Sequence, residues 1–257
     1  MSLASIWPQP APNSSTAIAA RAERGQLPRW GILLMAPARA AVAYLVAGGF
    51  LVGGRANPLS PVATWWVVWG TLIDLVCLAA LAALARREGI RLRDLAGVSR
   101  RHLWSDLQQA PLLLLAYVPA LVIISVIQHG FYGATPYPPQ VALVRLPRWA
   151  AFYSIIVWPV IWAFAEDVTY LGYLLPRLEV VTRSRAWPVV IVVVLWSIQH
   201  PALPLLSGRY LLYRALSAVP ITLTFTLLFR WRRRLLPVMV AHWAADLLSA
   251  LTVGFLQ

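Results

Sequence analysis

Seven apolar stretches recur along this chain, at approximately 32–53, 62–85, 110–130, 149–175, 188–206, 211–229 and 235–256. Each is close to the ~20 residues that a helix needs to cross a hydrocarbon core. Inside a bilayer every backbone N–H and C=O must find its partner within the protein, so stretches of this length fold as helices. The composition agrees: 60% of the residues are hydrophobic, only 12% are charged, and the mean hydropathy is +0.69. That balance excludes an ordinary soluble domain. The expected fold is all-α, a polytopic transmembrane helix bundle of about seven spans, with membrane lipid as its first partner.

The formal net charge of +13 comes from arginine alone, since the sequence contains no lysine. Those arginines sit in the short connections between apolar stretches and form no basic stripe interleaved with aromatics, so nucleic acid is not an expected partner. They set topology instead. One alternate set of loops holds sixteen of the 22 arginines, among them Arg86, Arg87, Arg91, Arg93, Arg100 and Arg101, and the opposite set holds five. Cytoplasmic loops are the basic ones, which places the N-terminus inside and the C-terminus outside. Trp30, Trp65, Trp66, Trp149, Trp187 and Trp231 fall near span ends, where an amphipathic ring prefers the headgroup level.

Outside the spans, residues 1–29 read as a disordered N-terminal tail, because they begin with Pro8, Pro10, Pro12 and the polar run Asn13 to Thr16. Residues 30–148 read as N-terminal transmembrane helices. Within them, 86–109 mixes six arginines with Leu92, Leu95, Val98, Leu103 and Trp104, a composition suited to a basic amphipathic cytoplasmic loop or surface helix. Pro136, Pro138 and Pro139 mark an extramembrane loop before the fourth span.

A few ionisable side chains interrupt the apolar stretches, and each costs roughly 2.5 to 3.5 kcal/mol at membrane depth on insertion scales. Glu166 and Asp167 lie on the fourth span, His200 on the fifth, and His242 with Asp246 on the seventh. At 1.5 Å rise per residue Glu166, His200 and His242 fall roughly 10 to 18 Å from the cytoplasmic ends of their spans, within one slab of the bilayer. Residues four apart share a helix face, which pairs His242 with Asp246, Trp196 with His200 and Glu166 with Tyr170. A carboxylate one turn from an imidazole fixes its tautomer, which serves catalysis or metal ligation alike. Pro159 and Pro201 break backbone hydrogen bonds beside these residues. Ser197 lacks a base at defined spacing and Cys77 lies on a span without these residues, so no serine or cysteine nucleophile competes. Arg39 and Asp74, the remaining charges inside the first two spans, are expected to face each other as a structural pair.

In order and separation these residues resemble the CAAX prenyl protease and bacteriocin-processing family of intramembrane glutamate proteases. Its members carry a Glu-Glu-x-x-x-Arg motif running on to Gly-Tyr/Phe-Leu and Pro-Arg-Leu, then Phe-x-x-x-His, then His-x-x-x-Asn or His-x-x-x-Asp. Here the first is Glu166-Asp167-Val168-Thr169-Tyr170-Leu171, continuing into Gly172-Tyr173-Leu174-Leu175-Pro176-Arg177-Leu178. The second is Trp196 to His200 and the third His242 to Asp246. Two departures stand out: the second acid is Asp167, and the motif's arginine position is occupied by Leu171.

The resemblance implies that 149–257 is the catalytic core of an intramembrane endopeptidase in a prokaryotic plasma membrane. Glu166 would activate a water, His200 would help hold it, and His242 with Asp246 would serve the developing oxyanion. Asp167, Tyr170 and Trp196 would support them, with the site toward the cytoplasmic leaflet. The substrate would be a membrane-associated protein or peptide. No cofactor is expected; the alternative is a divalent metal on Glu166, His200, His242 and Asp246, although the chain has no His-Glu-x-x-His helix. The rival functional classes are a catalytically degenerate immunity or scaffold factor, which the missing arginine favours, and a small proton-coupled transporter.

Overall fold

A computed structural model describes residues 11–53, 65–134, 147–202 and 207–255, and among them all regular structure is helical. The chain runs through α1 (Ser15–Glu23), α2 (Arg29–Gly53), α3 (Trp66–Arg87), α4 (Leu92–Ala96), α5 (Leu103–Leu115) and α6 (Val118–Tyr132). A long rod follows, made of α7 (Arg148–Phe152), α8 (Trp158–Asp167) and α9 (Leu175–Thr182), joined by π turns at Tyr153–Val157 and Val168–Leu174. Next come α10 (Trp187–Gln199) with a 3₁₀ turn at His200–Ala202, then α11 (Gly208–Arg232) and α12 (Leu235–Phe255).

Five runs are long and apolar enough to cross a membrane: Arg29–Gly49, Trp66–Arg87, Leu92–Tyr132, Arg148–Thr182 and Gly208–Arg232. Two shorter apolar helices, Trp187–Ala202 and Leu235–Ser249, complete the set. These seven match the seven expected stretches, and the chain is an all-α polytopic bundle. The proline-rich loop expected at 136–139 lies outside the described residues, as does the end of the fifth stretch beyond Ala202.

Burial confirms an apolar solvent. Leu33 and Leu45 of α2 are about three-quarters exposed, whereas Arg39, Asp74, Glu166, Asp167 and Arg177 are fully buried. A surface of leucines around charged groups suits lipid outside and protein inside. The rod is central: α8 packs against α3 and α12, while α10 packs against α2 and α11. The second π turn buries Tyr170, Leu171, Tyr173 and Leu174 in one apolar cluster with Val192 and Trp196 of α10, Phe225 of α11 and Val238 of α12. A second cluster joins Ala43 and Ala47 of α2 to Ile73 of α3 and to Trp158 and Trp162 of α8.

One expectation outside the spans requires correction. Residues 11–29 are not a disordered tail, since Ser14 caps α1 by accepting from the Ala17 N–H at 3.3 Å. Ile18 of α1 is completely buried. Just ahead of the cap, Asn13 donates to the Gly172 carbonyl at 2.6 Å, fastening this segment to the rod. Residues 1–10 lie outside the described residues.

Segment 86–109, expected as a basic amphipathic loop or surface helix, is not one continuous element. It breaks into α4, a 3₁₀ turn and the start of α5, because Gly97 takes the left-handed conformation (φ 62°) that ends α4. Leu95 and Ala96 of α4 turn inward onto the second π turn. The approach is close enough that a Cβ on Gly172 would lie 2.8 Å from the Leu95 carbonyl oxygen, which is the physical reason for glycine there.

Candidate active site

Glu166 and Asp167 are consecutive at the end of α8, so their side chains leave the helix about 100° apart. One turns toward α10 and α2, the other toward α12. The Glu166 carboxylate has no solvent exposure. Its Oε2 accepts the Trp196 indole N–H at 2.7 Å, and its Oε1 accepts the Gln199 amide in a short hydrogen bond. Gln199 is itself oriented: its Oε1 accepts the Tyr170 hydroxyl at 2.9 Å, which settles which end of the amide points at Glu166. Tyr170 also stacks on Trp196, with ring centroids 5.1 Å apart and planes 15° from parallel. The expected Glu166–Tyr170 partnership therefore runs through α10 and not directly between the two side chains.

Asp167 reaches the last helix. Its Oδ1 accepts from His242 Nδ1 at 3.1 Å, which fixes the ring so that Nε2 faces the other acids. From Nε2 it is 3.8 Å to Glu166 Oε2 and 3.6 Å to Asp246 Oδ2, both within ion-pair range and beyond a direct hydrogen bond. The ring packs between Phe225, at a centroid distance of 4.6 Å, and Trp196 at 5.8 Å. His242 is thus aimed by one carboxylate and packed between two aromatic rings.

His200 lies immediately past the end of α10. Pro201 supplies no N–H and disfavours a helical residue before it, so α10 ends at Gln199 and His200 begins a 3₁₀ turn. Its Nδ1 donates to the Trp196 carbonyl at 2.9 Å, leaving Nε2 as the acceptor nitrogen. Among the described residues it forms no hydrogen bond or ion pair with Glu166, and its neighbour Gln199 makes that contact instead. Leu171 is fully buried in the apolar cluster, and Asp167 takes its partner from His242.

Arg39 and Asp74 do meet, through Nη2 and Oδ1 at 2.6 Å. What the sequence did not indicate is that the same Nη2 stands 3.5 Å from Glu166 Oε1. Gln199 was missed as well, although a lone amide on an otherwise apolar span was a readable signal. Trp196, at the phenylalanine position of the second motif, contributes an indole N–H that phenylalanine lacks.

Among the described residues, no group of three or more His, Cys, Asp or Glu side chains is disposed to hold a metal ion.

Buried acids held by donors from three other helices, inside a bundle of membrane spans, define a class: a polytopic protein with an enclosed acid and imidazole site. Residues 147–248 match the family model described as type II CAAX prenyl endopeptidase Rce1-like. The match supports membership of the CAAX prenyl protease and bacteriocin-processing family, which is a protease family, as the three motifs implied. No curated protein and no solved structure matches the chain.

Proposed function

We propose that this chain is an intramembrane endopeptidase in which Glu166 is the general base. The observation that carries this reading is the environment of one carboxylate: Glu166 is buried, fixed on both oxygens by Trp196 and Gln199, and faces His242 Nε2 across 3.8 Å. A base must be held within reach of the proton it removes, and a donor must already point to where negative charge will develop.

The step follows from that arrangement. Glu166 Oε2 takes a proton from water as the water oxygen bonds to the peptide carbonyl carbon, and the carbonyl π electrons move to its oxygen. Doubly protonated His242 gives Nδ1–H to Asp167 and offers Nε2–H to this oxyanion, with Asp246 beside it. Collapse of the tetrahedral adduct breaks the C–N bond, and the proton held by Glu166 passes to the departing amine. His200, with Nε2 free as an acceptor, orients the attacking water from the mouth of α10. The distribution of arginines among the loops supports a site toward the cytoplasmic leaflet, with a membrane-associated protein or peptide as substrate and its scissile bond near that face.

Membranes carrying the wild type or Glu166→Gln, compared by quantitative proteomics, test the reading. Uncleaved precursors should accumulate with the variant, and the same precursor in reconstituted vesicles should be cut about 10²- to 10⁴-fold more slowly. Identical proteomes and undiminished cleavage would remove Glu166 from the chemistry.

A further inference from the structure

Four carboxylates crowd the centre of this bundle: Asp74, Glu166 and Asp167, all fully buried, and Asp246, partly buried. Burying several like charges together is unfavourable unless fixed opposite charge accompanies them. His242 contacts three of the four. The other cation within ion-pair distance, among the described residues, is Arg39.

Arg39 belongs to α2, outside the segment that matches the protease family model. Its side chain is completely enclosed, and its guanidinium carbon lies 4.7 Å above the Trp162 ring. Trp162 is one turn before Glu166 on α8, so the guanidinium is stacked on the helix that carries the base. Nη2 is then shared between Asp74 Oδ1 at 2.6 Å and Glu166 Oε1 at 3.5 Å. Gln199 donates to that same Oε1, while Trp196 and His242 address Oε2. Two groups therefore grip one oxygen and leave the other turned toward the imidazole.

We infer that Arg39, oriented by Asp74, is a positioning residue that holds the Glu166 carboxylate with Oε2 directed at His242. The inference rests on the proteolytic reading of the site for its catalytic consequence, while the contact itself does not. Under a purely structural role, the Arg39–Asp74 pair would only join α2 to α3, and Glu166 would be indifferent to it.

Two variants separate these cases. Arg39→Met with Asp74→Leu removes both charges at once, and replacing a whole buried pair by apolar side chains leaves the fold intact where removing one partner does not. Arg39→Lys keeps a cation for Asp74 but is one atom shorter and loses the planar group that stacks on Trp162 and holds Nη2 between the two carboxylates. With the precursor identified by Glu166→Gln, both variants should lower kcat by about 10- to 100-fold at unchanged KM and unchanged thermal stability. A kcat equal to that of the wild type in either folded variant overturns the inference.

An activity-independent readout keeps the test decisive. The Glu166 carboxylate stretch, assigned in infrared spectra by its loss in Glu166→Gln, should move in Arg39→Lys. An unmoved band overturns the contact. A shifted band in a protein whose Glu166→Gln variant cleaves normally would instead sink the proteolytic reading and leave Arg39 as a partner of Glu166.

Discussion

Arg177 offers the sharpest test of what holds the rod in place. Its Nε and Nη2 donate to the two oxygens of Glu88 at 2.8 and 2.6 Å, and both side chains are fully buried. Nη1 donates to the Tyr173 carbonyl and to Asn13 Oδ1, each at 3.1 Å, and the guanidinium lies 4.1 Å over the Tyr173 ring. Arg177→Met keeps the apolar stem and removes every one of these bonds. Breaking a buried pair from one side costs about 3 to 5 kcal/mol, because the remaining charge is stranded. Arg21 Nε still stands 3.4 Å from Glu88, which puts the expected loss at the lower end, about 3 kcal/mol. For a chain of this size that corresponds to a fall of about 6 to 12 °C in melting temperature. The assay is tryptophan fluorescence during thermal unfolding in lipid nanodiscs. Glu88→Met combined with Arg177→Met removes the stranded carboxylate and leaves Arg21, whose Nη1 still donates to the Pro12 carbonyl, so it should recover part of the loss, giving a coupling of about 1 kcal/mol or more. A single variant that melts within 2 °C of the wild type, or a double variant whose loss is the sum of the two singles, refutes this account.

Two further outcomes are expected. Gly172→Ala should push α4 off the rod, since the new methyl group would sit 2.8 Å from the Leu95 carbonyl oxygen, at a cost of about 1 to 3 kcal/mol read in the same melts; an unchanged midpoint would mean that α4 yields freely. Asp167→Asn preserves an oxygen acceptor for His242 and should slow cleavage less than tenfold, against about 10²- to 10⁴-fold for Glu166→Gln, in parallel vesicle assays; equal losses would show the two acids acting as one unit.

The spans, the acid pair on α8 and the imidazole on α12 were legible because they depend on properties read along a single stretch: length, hydropathy, depth and four-residue spacing. The partners of Glu166 were not. Depth says how far a residue lies from the membrane surface, and says nothing about which way it faces or what stands beside it. Arg39 is 127 positions before Glu166 in the chain, and only the packing of α2 against α10 and of α3 against α8 brings it there. The backbone break beside His200 was legible from Pro201, where α10 ends and a 3₁₀ turn begins. The helix at 15–23 was readable in principle: Ser14 followed by Ser-Thr-Ala-Ile-Ala-Ala is a capped helical start. Proline content in the preceding residues obscured it.

The bond from Asn13 to the Gly172 carbonyl spans 159 positions, and it sets an order of events during synthesis. At about 5 to 20 residues per second, roughly 8 to 32 s separate the moment Asn13 is made from the moment its acceptor exists. Glu88 waits as well, 89 positions ahead of Arg177, with Arg21 as the cation already present beside it. The N-terminal segment therefore has an early duty that the finished protein conceals: it shelters a carboxylate at the base of the third helix until the rod arrives, and is then locked by the residue that relieves it.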